Sequence, residues 1–334
     1  MPCHAWIQWR NQMPEKIKLT VSHAPFIHNG SRISKKSCNI IIAALIPVVF
    51  GIVQYGRPAF SVVSLSVGSA MLWEILMNLI MRRRISVGDG NAAVIGLVFA
   101  MLLPATAPWW VVVTGTGVAI IIGKQIYGGI GGNPFNPVAV AAVILMLSWK
   151  EAFDFNAALV NYSFSFQPIY PLTLFKSFGL QAISGIHPVD LFMGRQVGGI
   201  GSTFGLGLVA AGIYLMIRGY IRWEISISFL AGIFVTALCF HLVKPGLYAG
   251  PLFHLLTGYA LVGAFFLAPE DSSSPVHFVP MIIYGFSGGL LTVLIRNIGA
   301  HTDGVLYAIL FINVLNPLID KIRPKATGRV ISHA

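Results

Sequence analysis

Leu97-Val98-Phe99-Ala100-Met101-Leu102-Leu103, closed by Pro104, and Leu261-Val262-Gly263-Ala264-Phe265-Phe266-Leu267, closed by Pro269, are similar apolar runs set 164 residues apart. The same offset carries the apolar segment at about 38–55 onto that at 203–217, and 60–81 onto 224–243. Ten such segments can be read, the others being 91–103, 109–123, 135–149, 251–268, 278–295 and 305–319. Five per half is an odd number, so a second half that repeats the first must enter the bilayer upside down. The expected fold is an all-α polytopic membrane protein, about ten transmembrane helices in two inverted five-helix repeats. Its parts are an N-terminal segment 1–37, a first repeat 38–149, a loop 150–202, a second repeat 203–320 and a basic tail 321–334.

Composition agrees. Of 334 residues, 56% are hydrophobic and 10% charged, against about 25% charged in a soluble domain. That excludes an ordinary soluble enzyme and a disordered chain. A full crossing needs roughly 17–25 residues, so 91–103, 135–149 and 305–319 are short. Short spans are either broken helices that line a buried site or simply tilted helices.

The net charge of +11 would suit nucleic acid on a soluble surface. Here the cations sit in a few connections between apolar runs and set orientation, so no nucleic-acid partner is expected. With the N-terminus inside, 16 of the 22 Lys and Arg fall on the cytoplasmic side. They include Arg82-Arg83-Arg84, Lys124, Arg218, Arg222 and the basic tail. The opposite side keeps Arg57, Lys150, Lys176, Arg195, Lys244 and Arg296. Residues 1–37 have cations but no apolar core, so they do not read as a cleavable signal. Cys3, Cys38 and Cys239 make no Cys-x-x-Cys pair; no metal site is expected, and buried thiols are the simplest reading.

Polar residues in or beside the apolar runs are the candidates for chemistry. Glu74 lies inside 60–81, where an isolated carboxylate costs at least about 2–3 kcal/mol. It must be protonated, bind Na⁺ through a hard oxygen, or pair with a cation of another span. Glu270-Asp271, with Ser272 to Ser274 behind them, suit a cation vestibule or a solvated turn. Between 109–123 and 135–149 runs Gly128-Gly129-Ile130-Gly131-Gly132-Asn133-Pro134-Phe135-Asn136-Pro137. Its glycines admit close approach of backbone or a planar ligand. Asn133 and Asn136 supply amides for a ligand or for capping the next helix. Asp89 and Asp303 each precede a short span and read as helix caps. Gly198-Gly199-Ile200-Gly201-Ser202-Thr203 leads into a helix, where backbone N–H groups, with Arg195 near, could hold a phosphate.

Three stretches carry a family resemblance: Leu19 to His28, Gly123-Lys124-Gln125-Ile126-Tyr127 through Pro137, and Tyr284 to Asp320 with Thr302-Asp303-Gly304 and Asn316-Pro317-Leu318-Ile319-Asp320. Over about 19–320 the chain resembles the D-subunit family of Rnf ferredoxin:NAD oxidoreductases, whose fold is shared by the B subunit of the sodium-pumping NADH:quinone reductase. The resemblance implies a ten-span subunit of a redox-driven Na⁺ or H⁺ pump in a prokaryotic inner membrane. It also implies partner subunits, a flavin (FMN and/or riboflavin), and an ion path with an acid at the place of Glu74. Family members usually carry FMN as a phosphoester on a Thr of a Ser-Gly-Ala-Thr-Pro motif in the long external loop. Here the acceptor position holds Tyr170 when Pro171-Leu172-Thr173 is aligned, or His187 when Ser184-Gly185 is aligned. Thr173, Ser163 and Ser165 are nearby hydroxyls with other neighbours. The sequence therefore argues against covalent FMN. A stand-alone inverted-repeat transporter and a structural subunit without flavin are the alternative readings.

The charge segregation makes a direct forecast: reporter fusions at the C-terminus should read cytoplasmic, and fusions after Lys176 external. Both fusions on one side would rule out the ten-span reading.

Overall fold

The computed structural model describes residues 32–83, 85–153, 155 and 170–322. The stretch 19–28, Cys3, Arg84, Ser163, Ser165, residues 167–169 and the basic residues beyond 322 lie outside the described residues. All regular structure described is helical, and every apolar segment forms a helix or a string of helical pieces.

Helix α1 (Ile33–Tyr55) passes to α2 (Arg57–Ile80) through Gly56 alone, at φ 72°, with Pro58 in the first turn of α2. Next come α3 (Asn91–Leu102) and α4, which is α-helical over Trp109–Gly117 and π-helical over Val118–Gln125. Helix α5 (Pro137–Ser148) ends the first half. The second half holds α6 (Gly205–Ile217), α7 (Trp223–Val243) and a broken α8. The pieces of α8 are Pro251–Leu256, Ala260–Val262 and a π-helical Gly263–Leu267. Helices α9 (Phe278–Asn297) and α10 (Val305–Ile319) follow.

Among the described residues four helices, α1, α2, α7 and α9, are long and apolar enough to cross a bilayer. Helices α3 and α5 have 12 residues each, about 18 Å at 1.5 Å per residue, against a hydrocarbon core of about 30 Å. Helix α3 is enclosed: from Ile95 to Leu102 every residue is buried. Helix α2, by contrast, turns Leu72, Leu76, Leu79 and Ile80 outward. Cys38 and Cys239 are exposed on α1 and α7, which corrects the expectation of buried thiols. Helix α1 packs on α6 and α5 on α10, the pairs that the 164-residue offset equates.

Helices that end inside protein leave carbonyl and N–H groups that need partners. The carbonyls at the end of α3 are met by the segment before α6 and by Tyr259 of α8. Ile200 N donates to Leu103 O at 2.9 Å, Gly201 N to Met101 O at 3.2 Å, and the Tyr259 hydroxyl to Leu102 O at 2.9 Å. A Cβ on Gly199 would stand 2.5 Å from Met101 O, so only glycine allows this approach. The segment around 190–203, expected as part of an external loop, is thus partly interior: Val197 and Ile200 are buried. The Gln196 amide nitrogen there lies 2.8–3.2 Å from the carbonyls of Leu191, Thr203 and Leu256.

Asn136 does the same for α5 and α8 together. Its Oδ1 accepts from Val138 and Ala139 N–H, while its Nδ2 donates to Leu267 O at 2.9 Å. At the break in α8, the Arg296 guanidinium donates to His254 O at 2.6 Å and Thr257 O at 3.0 Å, and it pairs with Asp303 at 3.0 Å. Asp303 accepts from Tyr259 N at 2.7 Å and from Val305 N at 3.2 Å. Its expected capping role is one part of a larger plug.

The second half is held by close backbone contact between α7 and α9. A Cβ on Gly289 would lie 2.1 Å from Phe229 O, and one on Gly232 2.3 Å from Phe286 O. Gly289→Ala must push the two helices apart and should cost on the order of 1–3 kcal/mol. Gly68→Ala in α2 meets nothing within 4 Å and should be neutral or stabilising by up to about 1 kcal/mol. Thermal unfolding of the two variants in detergent separates them, and equal melting would contradict this packing.

Candidate functional site

Glu74 of α2 does not stand alone. Lys124, from the π-helical end of α4, donates to both of its carboxylate oxygens at 2.9 Å, and the two side chains are 0% and 2% exposed. Ser86 Oγ donates to Glu74 Oε1 at 2.6 Å, and Asn78 Nδ2 donates to Ser86 Oγ at 3.0 Å. A buried pair of this kind holds together because removing one partner strands the other charge, a loss of roughly 3–5 kcal/mol. Lys124 is therefore a buried side chain, not a loop cation. Arg296, counted on the opposite side, is buried too. One cation leaves each side of the orientation count, and the sign of the bias is unchanged.

Asp89, in the short 3₁₀ turn Val87–Asp89 between α2 and α3, stands close to this pair and accepts from Asn91 N at 2.7 Å. Burial raises its pKa; the Asn91 hydrogen bond and Lys124 oppose the shift, and Glu74 adds to it.

Lys124 also lines a cavity of about 350 Å³ between the halves. Its apolar walls include Ile40, Val94, Val98 and Phe265, and its polar edge has Asn91, Gly131, Asn133, Asn136 and Glu270. Asn133 Nδ2 donates to Phe135 O and to Glu270 Oε1. Glu270 Oε2 accepts from Ser273 N at 3.0 Å and from Ser273 Oγ. Burial raises the Glu270 pKa, and hydrogen bonds from Ser273 and Asn133 pull it back. Asp271 lies at the rim, exposed, and pairs with Lys36 of α1. The expected acidic vestibule thus divides into one half-buried, hydrogen-bonded carboxyl and one exposed carboxyl. Gly131, at φ 86°, lines the cavity. Gly132 is excluded from bearing a side chain by Tyr127 O, 2.5 Å from its Cβ position.

The remaining candidates gather elsewhere, around the break in α8. Tyr170 starts a loop helix, Pro171–Phe178, and is 5% exposed beside Phe155, ring centroids 5.1 Å apart. Burial pushes its phenol pKa up; Asp303 adds to this and Arg296 opposes it. Thr173 is half-buried in the same helix, and His187 is exposed. Lys176 pins the helix down by donating to the carbonyls of Gly299 and His301, both at 2.6 Å, and burial lowers its pKa. Gly201 and its neighbour Ile200 spend their N–H groups on α3, so this helix entry does not offer them to a phosphate. Arg195 is exposed and pairs with Asp190 at 3.0 Å. Thr203 is buried with its hydroxyl unpartnered. Among the described residues no group of three His, Cys, Asp or Glu is placed to hold a metal.

Sequence reasoning missed Lys124 and Arg296 as interior residues. The available signal was the need of Glu74 and Asp303 for cations, together with the apolar residues just before each: Ile121-Ile122-Gly123 and Leu294-Ile295.

Residues 20–328 match the model of the NQR2, RnfD, RnfE family. The chain is 34% identical over 310 residues to the D subunit of the Na(+)-translocating ferredoxin:NAD(+) oxidoreductase complex of Acetobacterium woodii, covering 92% of this chain and 94% of the relative. It is 32% identical over 313 residues to the D subunit of the proton-translocating ferredoxin:NAD(+) oxidoreductase complex of Clostridium ljungdahlii, covering 90% and 93%. A third relative, the D subunit of the ion-translocating oxidoreductase complex of Cronobacter sakazakii, is 30% identical over 349 residues, covering 92% and 98%. With a helical, largely apolar fold and a match along nearly its whole length, this membrane protein belongs to the NQR2, RnfD, RnfE family.

Proposed function

We propose that the chain is a membrane subunit of a bacterial Rnf-type complex, set in the cytoplasmic membrane with both termini inside. Its halves are inverted repeats, and other subunits of the complex are its partners. It holds a flavin in the cavity between the halves and couples electron flow to movement of Na⁺ or H⁺. The observation that carries this reading is one wall of the cavity, where a buried ammonium is bonded to a buried carboxylate.

The cavity fits a flavin ring in size and chemistry. Pockets that enclose such ligands measure about 300–1,000 Å³ and combine apolar walls with a few fixed polar groups. Val94, Val98 and Phe265 would cover the ring faces, and the Asn133 amide and Gly131 backbone would meet its polar edge. Asn136 ties α5 to α8 with its Oδ1 and one Nδ2 hydrogen bond, so its part is to shape the cavity. A bound flavin supplies one- and two-electron transfer. The chain itself supplies exclusion of water and a charge pair whose balance depends on what occupies the cavity.

Covalent attachment is not part of this proposal. Tyr170 is buried at the start of the loop helix and His187 is not a hydroxyl. A stiff phenol reaches farther from the backbone than a threonine hydroxyl and would not meet the same phosphate position.

Two measurements check this. The gel band of the denatured subunit should show no flavin fluorescence; a fluorescent band mapped to any residue of 150–202 would overturn the non-covalent reading. In the purified complex, Val98→Trp should fill the cavity and lower acid-released flavin by one per complex, with the other subunits still present. Unchanged flavin in that variant would place the cofactor elsewhere.

Glu74 is the second handle. Glu74→Gln should cut cation transport per electron at least tenfold, because the carboxylate that would carry the cation is gone. Since it also strands the Lys124 charge, the complex is compared with Glu74→Gln/Lys124→Met, which removes both charges. Full coupling in an assembled double variant would limit the pair to a structural part.

A further inference from the structure

Resting on the reading of the cavity as a flavin site, we infer that Lys124 is a shared countercharge. It serves Glu74 while the cavity occupant is neutral and serves the occupant when that becomes anionic, so charge in the cavity and cation occupancy at Glu74 are linked.

Lys124 stands between Glu74 and the cavity. Besides it, the only Lys or Arg lining the cavity among the described residues is Lys36, which is at the rim and already paired with Asp271. Glu74 does not line the cavity at all. Whatever happens in the cavity therefore reaches Glu74 through the Lys124 ammonium. That ammonium has three N–H donors; two go to Glu74, and the third has no acceptor among the described residues.

The local backbone suits such a position. Lys124 lies in a π-helical segment, an arrangement often found at functional sites because it displaces one residue from the regular register. Gly123 beside it lets α4 close onto α5: a Cβ there would stand 2.7 Å from Pro137 Cα.

Electrostatics then forces the coupling. The pair is buried, so salt screens it little and an anion in the cavity competes with Glu74 for the ammonium. If the ammonium swings to the cavity, Glu74 becomes a buried carboxylate without its countercharge. It can stay there only by taking up one positive charge, a proton or a monovalent metal ion. Ser86, in the connection between α2 and α3, already donates to Glu74 Oε1, with Asn78 behind it, and neither residue lines the cavity. The charge can be supplied from that side without crossing the cavity. When the occupant returns to neutral, Lys124 goes back to Glu74 and expels the cation. Charge balances at each stage, one negative charge in the cavity against one cation on Glu74.

The test is the midpoint potential of the cavity flavin in the intact complex, measured spectroelectrochemically. One arm titrates Na⁺ at fixed pH; the other varies pH at fixed Na⁺. In wild type, one arm should shift the one-electron potential toward about 59 mV per tenfold change of the cation. Glu74→Gln/Lys124→Met carries no stranded charge and should keep its flavin and assembly but lose most of that dependence. Among the described residues Asp89, Glu270, Asp271, Lys36 and Tyr220 are the other titratable groups around the pair and cavity, and they remain in the double variant as an internal control. A flavin-loaded double variant with the wild-type dependence overturns this inference and leaves the proposed function standing. A wild-type complex with no flavin in the cavity, read from the Val98→Trp comparison, overturns both.

Discussion

A bilayer offers no water to satisfy broken backbone hydrogen bonds, and this chain breaks or ends helices in its interior repeatedly. Everything else in the fold depends on how those ends are met. The short α3 gives its terminal carbonyls to Ile200, Gly201 and Tyr259. The interrupted α8 gives its own to Arg296 and, farther along, to Asn136. Because α3 takes its donors from the segment 190–203 and from Tyr259, and the last turn of α8 takes one from Asn136 of the first repeat, neither repeat completes these helices alone. The cavity between the halves is the space left by helices that stop early and are capped by their neighbours.

Two buried ion pairs serve this arrangement in different ways. Arg296–Asp303 is enclosed by backbone: Arg296 also donates to His254 O and Thr257 O, and Asp303 also accepts from Tyr259 N and Val305 N. Gly258, at φ 65°, has Asp303 Oδ2 2.3 Å from its Cβ position, so the plug also dictates a glycine. Such a pair has nothing to exchange with. Glu74–Lys124 has one side on a polar loop and the other on a cavity. The chemistry of the two pairs is similar, but only the second is placed to respond to a ligand.

Much of the architecture was legible in the sequence, because long apolar runs separated by Gly, Pro and cations have few other readings. The ten runs, the short spans and the capping Asn136 and Asp303 could be read from residue type and position. What could not be read was depth. Lys124 and Arg296 fall at the ends of apolar runs, where a cation ordinarily reaches water by extending its stem. Nothing local says that the next segment will fold over it. The stretch 190–203 has the small and polar residues of a surface loop, yet its glycines are there for contact with α3. Its burial is set by partners some hundred residues away. The cysteines misled in the opposite direction, since an outward face in lipid accepts a thiol as readily as a core does.

The enclosure of α3 has a mechanical side. Among the described helices, α3 is wrapped by its neighbours, while α1, α2, α7 and α9 carry large apolar side chains outward over most of their length. A stretch of about 18 Å placed against lipid tails would thin the membrane around it or tilt away, at a cost that grows with each ångström of hydrophobic mismatch. Packed by α1, α2, α4 and α5, α3 meets protein and not acyl chains. Bilayer thickness is therefore felt by the helices with outward apolar faces, α1, α2, α7 and α9 among them, while the distance from cavity to capped helix end is set by side-chain and backbone contacts. A subunit built this way keeps the same internal spacing when the lipid composition around it changes.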